Sequence, residues 1–163
     1  MGNEVNFQYN AVLDLKYDAD GHRHLEVPLF YKKGSYSNEK VDFIFDTGAY
    51  LTVLTQKTAR LFEFDKIPPI RANIPLTGFA GSHCTGDLVA IPGMLIGGRS
   101  LEDVRVAIPH VDTEDDILGL NVLEHFIYLI DSASDKIYLS DSSIYKAPAY
   151  LKCGRITAVS GGL

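Results

Sequence analysis

Apolar and polar residues alternate along most of this chain. Phe7, Tyr9, Ala11, Leu13, Leu15 and Tyr17 are separated by mostly polar residues, and a period of two predicts a half-buried strand. Asp18-Ala19-Asp20-Gly21 then reads as a turn and His24 to Tyr31 as the return strand. Lys32 to Lys40 is a polar, glycine-containing loop that leads into the buried strand Phe43-Ile44-Phe45. Thr55 is placed to cap a short helix, Gln56 to Phe62, with Ala59, Leu61 and Phe62 facing inward and Pro68-Pro69 ending it. Ala72, Ile74 and Leu76 alternate with polar or turn-forming residues, and the Thr77 to Cys84 turn leads into a strand from Thr85 to Ile91. That is a hairpin with a glycine-bearing tip. Met94 to Ile96 and Val104 to Ile108 read as strands around a Gly97-Gly98 turn. Asn121, with Glu124 three residues on, predicts the cap of a second short helix. Phe126 to Ile130 and Lys136 to Leu139 make a last hairpin around Asp131-Ser132-Ala133-Ser134. Two short helical segments among so many strands predict a mainly β, barrel-like domain.

Composition narrows this picture without redirecting it. At 163 residues with 46% hydrophobic content, the chain is expected to form one domain with its own core. No apolar run reaches the length of a membrane span, so no membrane association is expected. The net charge of -6 leaves no basic stripe for phosphates, which argues against nucleic acid as a partner. Cys84 and Cys153 show no framework spacing; they read as free thiols in a reducing compartment, hence a cytoplasmic location. Met1 to Asn6 lacks a basic start and an apolar stretch, so no signal peptide is expected, and Asn6 breaks the myristoylation pattern after Gly2.

Three stretches carry candidate chemistry that the surrounding pattern argues against. Asp18, Asp20, His22 and His24 could suggest a metal site, but no further His/Cys cluster completes a shell, and a solvated hairpin turn is the better reading. Gly93-Met94-Leu95-Ile96-Gly97-Gly98-Arg99-Ser100 nearly matches a phosphate-binding loop. Arg replaces the lysine, however, and strand rather than helix follows, so no nucleotide cofactor is expected. Asp112, Glu114, Asp115 and Asp116 form an acidic run that reads as a solvated loop.

The remaining stretch is Phe43-Ile44-Phe45-Asp46-Thr47-Gly48-Ala49, in which an apolar strand ends abruptly in a carboxylate, a hydroxyl and a glycine. A carboxylate beside an apolar strand is costly unless partnered, so it should be there for a reason. Downstream, Asp116-Ile117-Leu118-Gly119-Leu120-Asn121-Val122-Leu123 joins two apolar residues and a glycine to a short helix, and Gly78-Phe79-Ala80-Gly81 lies between the two. In that order the three segments resemble the active-site loop, second signature and glycine-rich flap of retropepsin-like aspartic proteases, the group that includes the retroviral enzymes. The resemblance covers about residues 41 to 139, a core between an N-terminal β-hairpin extension (1–40) and a C-terminal tail (140–163).

The resemblance implies a closed retropepsin-like β-barrel with a flap hairpin. It implies an endopeptidase with Asp46, Thr47 and Gly48 in the catalytic loop. Ala49, Gly78, Phe79, Ala80, Gly81, Ile117 and Leu118 would contact a peptide or protein substrate. Such chemistry needs two carboxylates around one water, without metal or cofactor. Asp131-Ser132-Ala133 and Asp141-Ser142-Ser143 lack the glycine of such a loop, so a single loop implies a homodimer, each copy supplying one Asp46. The competing expectation is a non-catalytic dimerisation or peptide-binding module on the same fold. Tyr50 stands where relatives usually carry a small or acidic residue.

Overall fold

The computed structural model describes residues 9–32, 39–79 and 82–141. The first alternating segment is one strand by its period and two by its partners. β1 (Ala11–Asp14) and β2 (Lys16–Tyr17) are separated by Leu15, which is 4% exposed and donates its N–H to the Asp135 carbonyl at 2.9 Å. The chain changes sheet at this buried leucine. Phe7 of the expected strand lies outside the described residues.

β3 (Arg23–Phe30) follows the predicted turn and pairs antiparallel with β4 (Lys40–Phe45). Leu25, Val27 and Leu29 of β3 and Val41, Phe43 and Phe45 of β4 point into the same core, as period two requires. Each such side chain contributes about 1.5–3 kcal/mol by leaving water. β5 (Thr52–Val53) is short, and α1 (Gln56–Leu61) starts where Thr55 predicts: the Thr55 hydroxyl accepts the Thr58 N–H at 3.1 Å. The helix is one residue shorter than expected. Phe62 is buried beyond it, and Leu61 does not turn inward; it is 59% exposed.

β6 (Arg71–Phe79), β7 (Ser82–Ile96) and β8 (Arg99–Pro109) form a meander. Gly97 and Gly98, at φ 57 and 80, make its second turn in a left-handed conformation that suits a two-residue hairpin. Ser100 therefore lies in a strand, where the helix of a phosphate-binding loop would have to begin. β9 (Asp116–Leu118), α2 (Leu120–Leu123), β10 (Phe126–Asp131) and β11 (Lys136–Asp141) complete the order.

The main sheet runs β2-β3-β4-β9-β5-β8-β7-β6, and β3 also pairs with β7 through Leu29↔Met94 and Phe30↔Gly93. The ladder that leaves β3 through β4 thus returns to it through β7, which gives the barrel its ring of strands. Its interior holds Phe43, Leu54, Ile91, Met94, Val106 and Leu118, all fully buried. β1, β11 and β10 form a separate three-stranded sheet that packs Ile137, Leu139 and Tyr128 onto the same core. No helix among the described residues is long and apolar enough to cross a membrane.

Candidate active site

β9 lies between β4 and β5. It pairs parallel with β4 through Phe43↔Asp116, Ile44↔Ile117 and Phe45↔Leu118, and antiparallel with β5 through Val53↔Ile117. The chain leaving β4 must therefore cross the end of β9 before it can enter β5. Asp46 to Leu51 is that crossing. The apolar run ends at Asp46 because the strand ends there.

The crossing is held from several directions. Asp46 donates its N–H to the Leu118 carbonyl at 3.2 Å, and its Oδ1 accepts the Gly48 N–H at 2.8 Å. A Cβ on Gly48 would stand 3.1 Å from that same oxygen, so the glycine keeps the approach to the carboxylate open. From below, the Ala49 and Tyr50 carbonyls accept the N–H groups of Leu120 and Asn121 at 2.8 and 3.0 Å. The first turn of α2 so finds partners for donors it would otherwise leave unmade. Gly119 N–H donates to Thr52 Oγ1 at 3.0 Å, and Asn121 Oδ1 accepts both the N–H and the hydroxyl of Thr52 at 2.8 and 2.9 Å. Asn121 Nδ2 reaches the Arg105 carbonyl at 2.8 Å and ties β8 to the same network.

Asn121 is thus not the cap of α2. Gly119 holds that place without a side-chain bond, and the asparagine works across the sheet. Nothing in its spacing distinguishes the two roles, and Thr52 is likewise absent from the residues that sequence pattern singles out. Asp116 also departs from expectation. Asp112, Glu114 and Asp115 are exposed, but Asp116 turns inward and accepts the Thr55 N–H and the Thr58 hydroxyl, both at 2.7 Å. Burial pushes its carboxyl above the usual range, against these two hydrogen bonds, which pull it down.

In front of the crossing lies a cleft of about 380 Å³. Asp46, Gly48 and Ala49 line it from the loop, Val53 and Ile117 from the strands, and Pro75 to Gly78 from the β6–β7 hairpin. Among the described residues lining it, Asp46 is the only acid. Asp46 Oδ2 and the half-buried Thr47 hydroxyl meet no partner among the described residues. Leu118 is fully buried behind the loop and faces the core instead of the cleft. Ala80 and Gly81 lie outside the described residues, as does the side chain of Phe79. A second, larger cleft of about 880 Å³ shares Tyr50, Leu51 and Pro75 with the first, and Tyr50 is 76% exposed between them.

Of the two candidates for a second acid of this kind, Asp131 is not among the residues that line the cleft. Asp131 caps its own turn, accepting the Ala133 N–H at 3.0 Å and the Ser134 hydroxyl at 2.6 Å, bonds that hold its carboxyl below the ordinary range. Asp141 lies at the end of β11, opposite Phe126. The ligand atoms of Asp18, Asp20 and His22 lie within 4.8 Å of one another, but Asp18 Oδ1 already accepts the N–H groups of Asp20 and His22 at 2.9 Å each. That is the economy of a turn.

The family described as "gag-polyprotein putative aspartyl protease" matches residues 33–125. The chain belongs to that family. Three solved structures are similar to this chain. A retropepsin-like aspartic protease from Rickettsia conorii is 21% identical, with a TM-score of 0.54 over 78% of this chain and 86% of that one. EIAV protease complexed with the inhibitor HBY-793 is 19% identical, with a TM-score of 0.48 over 67% and 91%. The retroviral protease-like domain of Ddi1 from Leishmania major is 16% identical, with a TM-score of 0.49 over 74% and 90%. A comparison with curated proteins found no match. The aspartyl-protease family membership and the retropepsin-like fold agree with the order of motifs in the chain.

Proposed function

We propose that this protein is an aspartic endopeptidase that works as a homodimer, with Asp46 of each copy facing its twin across a two-fold axis. The observation that carries this reading is a cleft under a hairpin in which one carboxylate has one oxygen fixed by Gly48 and the other open. One carboxylate is half of what peptide hydrolysis by acids requires. An isologous contact through the crossing loops supplies the other half, because it sets each loop against its equivalent. Thr47, whose hydroxyl meets no partner among the described residues, is the residue suited to clamp the two loops together.

Two carboxyl groups at hydrogen-bond range cannot both ionise, so the pair holds one proton. The ionised group takes a proton from the water as the water oxygen attacks the peptide carbonyl carbon. The protonated group gives its proton to the carbonyl oxygen, and a tetrahedral diol forms. Collapse of the diol breaks the C–N bond: one diol hydroxyl returns its proton to the carboxylate that had protonated the carbonyl oxygen, while the acid formed in the first step protonates the departing nitrogen. The pair ends with one proton, as it began, and the water is consumed.

In this reading Ala49, Gly78, Phe79, Ala80, Gly81 and Ile117 contact an extended peptide, and the β6–β7 hairpin acts as the flap. Asp46→Asn keeps the shape and the Gly48 hydrogen bond but removes the base. It should lower peptide turnover by at least about a hundredfold, the usual scale for a positioned acid–base group. Solution mass and melting temperature should stay those of the unmodified protein. A parent protein that cleaves no peptide library from acid to neutral pH, or an Asp46→Asn variant that cleaves as well as the parent, would leave the binding-module reading in its place.

A further inference from the structure

The hairpin over the Asp46 cleft is anchored at its root by side chains. Among the described residues β6 pairs only with β7. Their register passes from Arg71↔Leu88 to Ile74↔Gly86, so that Ala72 and Asn73 together oppose Asp87. This is a bulge, and Asn73 adopts φ 55 within it. The Asn73 N–H is taken up by Asp87 Oδ1 at 3.1 Å. The same oxygen lies 3.0 Å from His110 Nε2, and His110 follows directly on β8. His110 Nδ1 meets Thr85 Oγ1 at 3.0 Å, and its backbone N–H donates to the Thr85 carbonyl at 2.9 Å. Nε2 must carry a hydrogen to hold the carboxylate, while a hydroxyl can serve Nδ1 as donor or acceptor.

Three residues beyond Asn73, Leu76 is 8% exposed and packs with Val53 and Ala107, and Ile74 and Ile117 pack against the same group. β6 therefore has two attachments, one on the cleft floor and one at the bulge. Between and just beyond them, Pro75 to Gly78 line the cleft. The His110 and Asp87 side chains are 40% and 33% exposed, and a polar contact in that setting adds little to global stability. Its effect is concentrated on the bulge it closes.

The geometry points to Asp87 and His110 as positioning residues, a latch from the barrel strand β8 to the bulge that sets the height of Pro75–Gly78 over Asp46. The latch does not touch the peptide; it fixes the roof that does. This rests on the proteolytic reading of the cleft, and the test separates the two. In the whole 163-residue chain, Asp87→Ala should speed amide exchange across 74–78 while leaving β10 and β11 unchanged. It should also lower kcat/KM by up to about tenfold, chiefly through KM, the scale of one lost hydrogen-bonded contact. Asp87→Asn keeps an oxygen that can accept from Asn73 and stay beside His110, and it should recover most of both effects. His110→Ala, which leaves the hairpin sequence intact, should reproduce them in smaller measure.

The latch is overturned if Asp87→Ala lowers the melting temperature but leaves exchange at 74–78 at the parent rate. It is equally overturned if Asp87→Asn is as impaired as Asp87→Ala, or if His110→Ala leaves exchange there unaltered. A parent protein that cleaves no peptide would sink the proteolytic reading alone, because exchange at the bulge still decides whether the latch exists.

Discussion

At the scale of single residues, His24 has a carboxylate at each ring nitrogen. Nε2 lies 2.8 Å from Asp18 Oδ2, and Nδ1 lies 3.3 Å from Asp42 Oδ2. A neutral imidazole has one N–H, so facing two carboxylates favours the imidazolium. The Asp18 hydrogen bond foremost, and then the Asp42 charge, raise the His24 pKa above its ordinary 6.5 against the opposing effect of burial. His22 Nδ1 also approaches Asp18 Oδ2, at 3.2 Å, and Lys16, opposite His24 on β2, is engaged with Glu26 at 2.9 Å. A raised histidine pKa means the folded state binds the proton more tightly. The stabilisation is therefore fully present below the unfolded value and fades as pH rises through the folded one. Urea midpoints of the parent and of His24→Asn should differ most at about pH 5.5 and converge by about pH 9. A gap that stays constant across that range would show that the ring acts by packing alone. The sequence shows His22 and His24 near Asp18. Asp42 it cannot supply, because only the β3–β4 register, with Glu26 opposite Asp42, brings that side chain alongside.

At the scale of elements, the crossing loop depends on how closely β9 and α2 can approach it. A Cβ on Gly119 would sit 2.6 Å from the Leu51 carbonyl oxygen and 2.8 Å from the Thr52 nitrogen, both backbone atoms with no rotamer to move. Gly119→Ala should therefore cost about 1–3 kcal/mol, the usual range for forcing a group into a filled site. The measurement is a lower urea midpoint with unchanged slope, and peptide turnover should fall with it because the Ala49 and Tyr50 carbonyls are held from this side. An unshifted midpoint would mean that the loop has slack the contacts do not show. Sequence pattern reaches many of these elements through local physics: Thr55 as a cap, Gly97-Gly98 as a hairpin turn, Phe43 and Phe45 as a buried face. It does not reach the insertion of β9 between β4 and β5. A three-residue strand carries too few side chains to specify two neighbours, and its pairing spans more than sixty residues of chain, from Val53 to Ile117. For the same reason Asp116 reads as one more acid in a solvated run until Thr55 and Thr58 are folded against it.

At the scale of the whole molecule, the ring of strands fixes the crossing loop on a rigid wall, yet the cleft it faces holds a single described acid. If hydrolysis needs two Asp46 groups, activity belongs to pairs of chains and not to chains, and mixing copies distinguishes these cases. Equal amounts of the parent and of Asp46→Asn, equilibrated well above the concentration at which the chains associate, leave about a quarter of all pairs with two carboxylates if partners assort at random. At fixed total protein, turnover should then fall to near a quarter of the all-parent value. Independent copies would give a half, since half the chains would be intact. Dilution sharpens the contrast: the activity of a pair falls faster than the protein concentration once pairs begin to separate, whereas that of an independent chain falls in proportion. A mixing curve that is linear in parent fraction, together with activity proportional to concentration down to the monomer range, would place the whole reaction within one chain and remove the need for the two-fold axis.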